Sequence, residues 1–287
     1  YIDGNKLKVS RFTLDKTETK LLLLSNREQI WRHSYYGTYH IMDLKTKTLE
    51  PVSKDNTNLR NVKMSPDGKK VAYVRNDNNI YVYDLIRNRE KKITNNGSKI
   101  ILNGHFGWVY EEEFGSFDAY RWSPESQYIA YWEENQSQVP TFTMFDELSL
   151  YPTTQEIRYP KAGETNPTMS IFVANVKNGN RKKMNIGNTK DTYYPWMEWR
   201  DDAELIVMRM NRLQNYWEFL SVATKNGKSV SGLKESDLNG WVELHRNYHF
   251  LKNGNILWIS ERSGWNHIFI HRSDGELVKQ VTDGDWE

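Results

Sequence analysis

The chain has 287 residues, enough for one large domain or two ordinary ones. Its 39 Lys and Arg nearly balance 37 Asp and Glu, so no strong field argues for nucleic acid or an anionic membrane as partner. There is no cysteine, which excludes disulfides, thiolate metal sites and a cysteine nucleophile, and the excess is aromatic: 11 Trp, 17 Tyr and 10 Phe, a composition suited to half-buried sheets and recognition pockets.

No apolar run approaches 18 residues and Tyr1 opens no signal-peptide pattern, so the protein is expected to be soluble or to carry a targeting segment outside this sequence. At the front, "KLLLLSNREQIWRHSYYGTYHIMDLKTKTLEPVS" reads as the latter part of a strand-rich unit, so the first unit is expected to be incomplete. Arg32 follows a Trp there and precedes a polar-aromatic run, and is expected inside a blade and not in a surface turn. An arginine so placed can stack on aromatic rings or hold a carbonyl oxygen with its forked donors.

The next stretch, "NVKMSPDGKKVAYVRNDNNIYVYDLIRNREKKIT", shows the unit in full. A turn at Ser65-Pro66-Asp67-Gly68 precedes an apolar strand over residues 71–74; a polar turn over residues 76–79 leads into an alternating strand over residues 80–85, and a charged turn precedes Ile93. Pro presets the turn's first dihedral and Gly tolerates a positive one, so the punctuation has a mechanism.

A long insertion follows, "NGSKIILNGHFGWVYEEEFGSFDAYRWS". It sets Glu111, Glu112 and Glu113 side by side amid Phe106, Trp108, Tyr110, Phe114 and Phe117. Adjacent carboxylates repel, and in a confined site one takes up a proton unless a cation lies between them. An ammonium group is a good complement, bringing positive charge and three donors. A solvated acidic turn is the alternative reading of the same residues.

The unit returns from Tyr120, from Met197 and from Tyr248. A period of about 40 to 50 residues with four strands each is that of β-propeller blades. The expected fold is therefore all-β, a β-propeller of four-stranded antiparallel blades, about five in this stretch, with little helix. A β-sandwich competes, but sandwiches do not repeat a four-strand unit with the same turn in the same place. Because the pattern begins in mid-unit and stops abruptly, the chain is expected to be part of a longer protein.

No G-x-S-x-G elbow, Gly-rich phosphate loop or H-E-x-x-H pair occurs. His245 and His249 would share a face only on a helix, yet they flank an expected strand, which argues against a metal site. His267 and His271 fall on one face of a strand, as surface or cross-strand partners.

Within this repeat, "WVYEEEFG" and "WRHSYYGTYHIMDL" resemble segments of the dipeptidyl peptidase IV family of prolyl-oligopeptidase-like serine exopeptidases. "SPDGKKVAYVRNDNNIYVYDL", "YPKAGETNPTMSIFV" and the closing "ISERSGWNHIFIHRSDGELVKQVTDGDWE" are similar to family segments in the same order. The resemblance implies that Glu112 and Glu113 bind the free α-amine of a peptide substrate, with Glu111 in support, and that Arg32 binds the carbonyl oxygen of its first residue. It implies that Trp241 and Val242 form an outer wall of the pocket; Glu243, Leu244 and His245 depart from the family pattern, which puts a wall role for His245 and Arg246 in doubt. It further implies that residues 1–287 belong to a larger, eight-bladed propeller, joined to a C-terminal α/β-hydrolase domain outside this stretch that holds the Ser-Asp-His triad. Removal of N-terminal dipeptides with Pro or Ala second, a homodimer, no cofactor and no metal, and export to the periplasm or surface of a bacterium are the remaining implications. A prolyl tripeptidyl aminopeptidase and a stand-alone binding propeller with an acidic docking loop are the alternatives.

Overall fold

The computed structural model describes residues 6–244 and 248–286. The chain divides after Met184 into two compact units. The first opens with an antiparallel sheet of β1 (Val9–Leu14), β2 (Lys20–Gln29), β3 (Tyr35–Asp43) and β4 (Leu49–Pro51). This blade is complete, contrary to the sequence expectation. β1 is exposed along its whole length, so it lacks the buried alternation that betrays the other strands.

The second blade comprises β5 (Arg60–Met64), β6 (Lys70–Val74), β7 (Ile80–Asp84) and β8 (Arg89–Lys92). Its first turn is as expected: Gly68 adopts φ 65° and its N–H donates to the Ser65 carbonyl at 2.9 Å. Successive side chains of a strand point to opposite faces. On β6, Val71 and Tyr73 therefore pack with Leu22, Leu24, Tyr39 and Ile41, while Ala72 and Val74 pack with Tyr120, Ile129 and Tyr131. The sheet is buried on both faces, which explains the continuous apolar run over residues 71–74.

The third blade is interrupted twice. β9 (Ile101–His105) runs into the helix α1 (Trp108–Phe114), and β10 (Asp118–Trp122) follows. Both strands pair with β11 (Tyr128–Asn135): Asn103 lies opposite Glu133, and Tyr120 opposite Tyr131. The helix thus bulges out of one edge of the blade. A separate hairpin of β12 (Thr141–Asp146) and β13 (Thr153–Arg158) precedes β14 (Thr168–Asn175) and β15 (Arg181–Lys183), which complete the sheet.

The second unit holds two blades. One is β16 (Thr192–Asp201), β17 (Glu204–Asn211), β18 (Tyr216–Ala223) and β19 (Ser229–Ser236); the other is β20 (Tyr248–Phe250), β21 (Ile256–Ser260), β22 (His267–His271) and β23 (Leu277–Gln280). Trp217 and Trp258, both fully buried, join them with ring centroids 4.6 Å apart.

His267 and His271 do share one face of β22, but that face is buried, not at the surface. His267 Nε2 lies 2.8 Å from the Gly284 carbonyl and His271 Nδ1 lies 3.0 Å from that of Gly275. Each ring serves to satisfy a backbone group inside the blade. His245 and Arg246 lie outside the described residues, and with them the His245–His249 pairing. Among the described residues no group of three or more His, Asp or Glu could hold a metal ion.

Candidate functional site

The acidic run folds as a helix, not a turn. Gly107 precedes α1 in an extended conformation, and Gly115 ends it at φ 60°, where an added Cβ would meet nothing within 4 Å. Glycine is needed at Gly115 for its dihedral alone. A helix of seven residues is marginal in isolation. This one is held by burying Val109, Tyr110 and Glu111, with Phe106 and Tyr110 stacked at 4.7 Å and Phe114 at 5.3 Å from Tyr110.

Successive helical residues point roughly 100° apart, so three adjacent glutamates cannot face the same way. Glu111 is fully buried, and its Oε1 accepts the backbone N–H groups of His33 at 2.8 Å and Ser34 at 2.7 Å. Glu112 is half-buried, and its Oε2 lies 2.9 Å from Arg32 Nε. Glu113 is exposed and has no partner among the described residues. The structure therefore brings Arg32, Glu111, Glu112 and Glu113 together from distant segments: the two Glu111 bonds join residues 78 and 77 apart in sequence.

Arg32 itself lies in the connection between β2 and β3, not inside the blade, and its side chain is 71% exposed. The aromatics that follow it belong to β3, where the Tyr35 ring is covered by Arg27, at 4.4 Å, and not by Arg32. The Arg32 turn is tied from several directions. The Ile30 N–H donates to the Ser34 carbonyl at 2.9 Å, and Gln29 Nε2 donates to the carbonyls of Arg32, at 3.1 Å, and Trp31. With Nε on Glu112, the two terminal nitrogens of Arg32 meet no acceptor among the described residues.

Several further residues hold the candidate site together. Arg60 on β5 is buried, lies 5.6 Å from the centre of the Tyr36 ring and shares its surroundings with Glu111. Burial pulls the Arg60 guanidinium below its ordinary pKa, and the charges of Tyr36 and Glu111 work against that pull. Burial and the Arg60 charge together push His105, at the end of β9, well below its own. Asn61 Nδ2 donates to the carbonyls of Gly104 at 2.9 Å and Phe117 at 3.0 Å, pinning both ends of the insertion to the second blade. None of these gives a sequence signal, because each acts across blades on backbone or on another buried charge.

Trp241 belongs to the second unit. It is 69% exposed, its Nε1 donates to Glu243 at 3.1 Å, and it lines a cavity of about 240 Å³ with Val242, Glu235 and Arg262.

The fold and the site thus define a propeller in which a helix inserted in one blade opposes an arginine turn of another. The chain matches the family model described as the N-terminal region of dipeptidyl peptidase IV (DPP IV) over residues 15–287, and it belongs to that family. It is 30% identical to dipeptidyl aminopeptidase B of Saccharomyces cerevisiae over 99% of this chain and 37% of that protein. To dipeptidyl peptidase 4 of Bos taurus it is 32% identical, over 97% of this chain and 40% of that protein. The crystal structure of Porphyromonas gingivalis dipeptidyl peptidase 4 superposes with a TM-score of 0.92 at 30% identity, covering 100% of this chain and 41% of that one. The chain spans about two fifths of the length of these relatives.

Proposed function

We propose that this chain is the substrate-recognition part of a serine exopeptidase that removes dipeptides from free peptide N-termini, with Pro or Ala preferred second. The observation that carries the reading is the Arg32–Glu112 pair at 2.9 Å, with Glu113 unpartnered beside it and Glu111 buried beneath. Two carboxylates against one guanidinium leave a negative charge over, the complement of an α-ammonium. That group has a pKa of about 8 and is mostly charged at neutral pH. Glu112 and Glu113 accept its protons in charge-assisted hydrogen bonds, each worth about 1.5–3 kcal/mol. The free terminal nitrogens of Arg32 take the carbonyl oxygen of the first residue.

Bond cleavage belongs to an α/β-hydrolase domain of the same, longer protein, with a Ser-Asp-His triad; this chain supplies recognition. Holding the amine at a fixed place relative to that nucleophile makes the glutamates a ruler, so that two residues fit before the scissile bond. The protein pairs as a homodimer, and it is exported to the periplasm or surface of a bacterium. The names of the relatives support the dipeptidyl reading over a tripeptidyl one or a stand-alone binding propeller.

The test is the full-length protein with Glu113→Gln, assayed on a Pro-containing peptide. A drop of about tenfold or more in kcat/KM with dipeptide still the product is expected, about one charged hydrogen bond. An unchanged kcat/KM removes the amine role, and tripeptide release removes the ruler.

A further inference from the structure

The acidic helix needs something to fix where it starts. Gly107 precedes it with no side-chain cap of its own. The Gly107 N–H donates instead to Oε2 of Glu134, on the neighbouring strand β11, at 2.8 Å. The other oxygen of Glu134 accepts from Gln136 Nε2 at 2.7 Å. Glu134 is 1% exposed and Gln136 is also buried. A Cβ added at Gly107 would stand 2.1 Å from Gln136 Nε2 and 2.6 Å from Glu134 Oε1, so the two side chains are pressed against the glycine backbone.

The same strand also fixes the approach to the helix. In the register of β11 with β9, Glu134 lies opposite Leu102, three residues before His105 ends the strand. The Gln136 N–H donates to the Ile100 carbonyl at 2.8 Å. Strand and carboxylate together hold the chain on both sides of the bend into α1. A buried carboxylate is costly unless its oxygens are hydrogen-bonded, and here one is held by a backbone N–H at the start of α1 and the other by a side-chain amide.

We propose that Glu134 is a positioning residue for the amine subsite: through the Gly107 amide, with Gln136 behind it, it sets the place of α1 and so of Glu112 and Glu113. The inference rests on the amine-binding reading of that helix. Gln at position 134 has one acceptor oxygen where Glu has two, so with the Gln136 amide oriented as it is, only one of Gly107 and Gln136 keeps its acceptor. The helix start is then free to shift. A misplacement of about 1 Å in a binding group costs up to about 100-fold.

In the full-length protein, Glu134→Gln, Gln136→Leu and Glu112→Gln are compared on a dipeptide-releasing chromogenic substrate, and by the rate of labelling with an amine-free fluorophosphonate. Glu134→Gln is expected to raise KM about tenfold with kcat and the labelling rate near the parent's, and Gln136→Leu about threefold in the same pattern. In a Glu112→Gln background the Glu134→Gln effect shrinks, since the group it positions is gone. If Glu112→Gln lowers kcat/KM but neither Glu134→Gln nor Gln136→Leu raises KM, the positioning role is overturned. An undiminished Glu134→Gln effect in the Glu112→Gln background overturns it as well. If Glu112→Gln itself is without effect, it is the amine reading that fails. Should Glu134→Gln not fold, Gln136→Leu decides alone: a raised KM with normal labelling supports the proposal, and an unchanged KM overturns it.

Discussion

Glu111→Gln is the sharpest probe of how the site is held. Glu111 is fully buried, and one of its oxygens accepts the N–H groups of His33 and Ser34, which lie within the turn that carries Arg32. Hydrogen bonds to a charged acceptor contribute about 1.5–3 kcal/mol and neutral ones about 0.5–1.5. Gln keeps an acceptor of the same shape but loses the charge, about 1 to 1.5 kcal/mol on each of two bonds. The turn should therefore lose about 2 to 3 kcal/mol of local stability, or roughly 30- to 150-fold in the opening equilibrium at about 1.4 kcal/mol per factor of ten. Hydrogen exchange of the peptide covering residues 29–35 reads this directly, since exchange there reports opening of the turn. It should speed by that factor in the full-length protein while the peptides of the second unit are unchanged. Exchange at the parent rate would mean that the Glu111 charge does not hold the Arg32 turn, and the supporting role would have to be withdrawn.

Arg32→Lys keeps the charge but cannot hold Glu112 with one nitrogen while offering two others to a carbonyl. Steady-state kinetics should show kcat/KM down about tenfold, and a lysine variant equal to the parent would leave the fork without a role. Stability should also depend on pH through Glu134, whose pKa burial pushes up to about 7 from 4.5. Between those values the folded protein holds a proton that the unfolded chain has released. Stability therefore falls as pH rises through that window, by up to on the order of 3 kcal/mol. Thermal unfolding at pH 5 and pH 7.5 should show this slope for the parent and a shallower one for Glu134→Gln; identical slopes would sink it.

The blades were legible because their pattern is local. The turn at Ser65-Pro66-Asp67-Gly68 and the turn at Ser123-Pro124-Glu125-Ser126 each close with an N–H to the Ser carbonyl at 2.9 Å, through a positive φ at Gly68 and at Ser126. β1 was not legible, since an exposed strand has no apolar alternation to read. The site was half legible. The sequence singles out Glu111, Glu112, Glu113 and Arg32, which the fold brings together as a candidate site, but not the helix under the glutamates, since seven residues between two glycines leave too short a window for helical periodicity. Glu134 stayed hidden for a different reason: Tyr131 and Trp132 beside it are both buried, so the strand shows no alternation against which an inward carboxylate would stand out.

That missing helix is what separates three identical side chains into three tasks. In a strand, Glu111 and Glu113 would share a face and Glu112 would oppose them. In a solvated turn none would be buried. A helical turn alone gives successive residues three different directions. One glutamate then faces inward to the backbone of the Arg32 turn, the next meets the guanidinium of that turn, and the third is left unpartnered. The arginine and the acidic pair are thus set by a single structural device: moving α1 moves Glu111, and Glu111 moves Arg32. Recognition of an amine and of the adjacent carbonyl would then stay in register with each other even where the insertion as a whole shifts. It follows that substitutions beneath the helix, at Glu111 or Glu134, should weaken amine and carbonyl recognition together, whereas Glu113→Gln should weaken amine recognition alone.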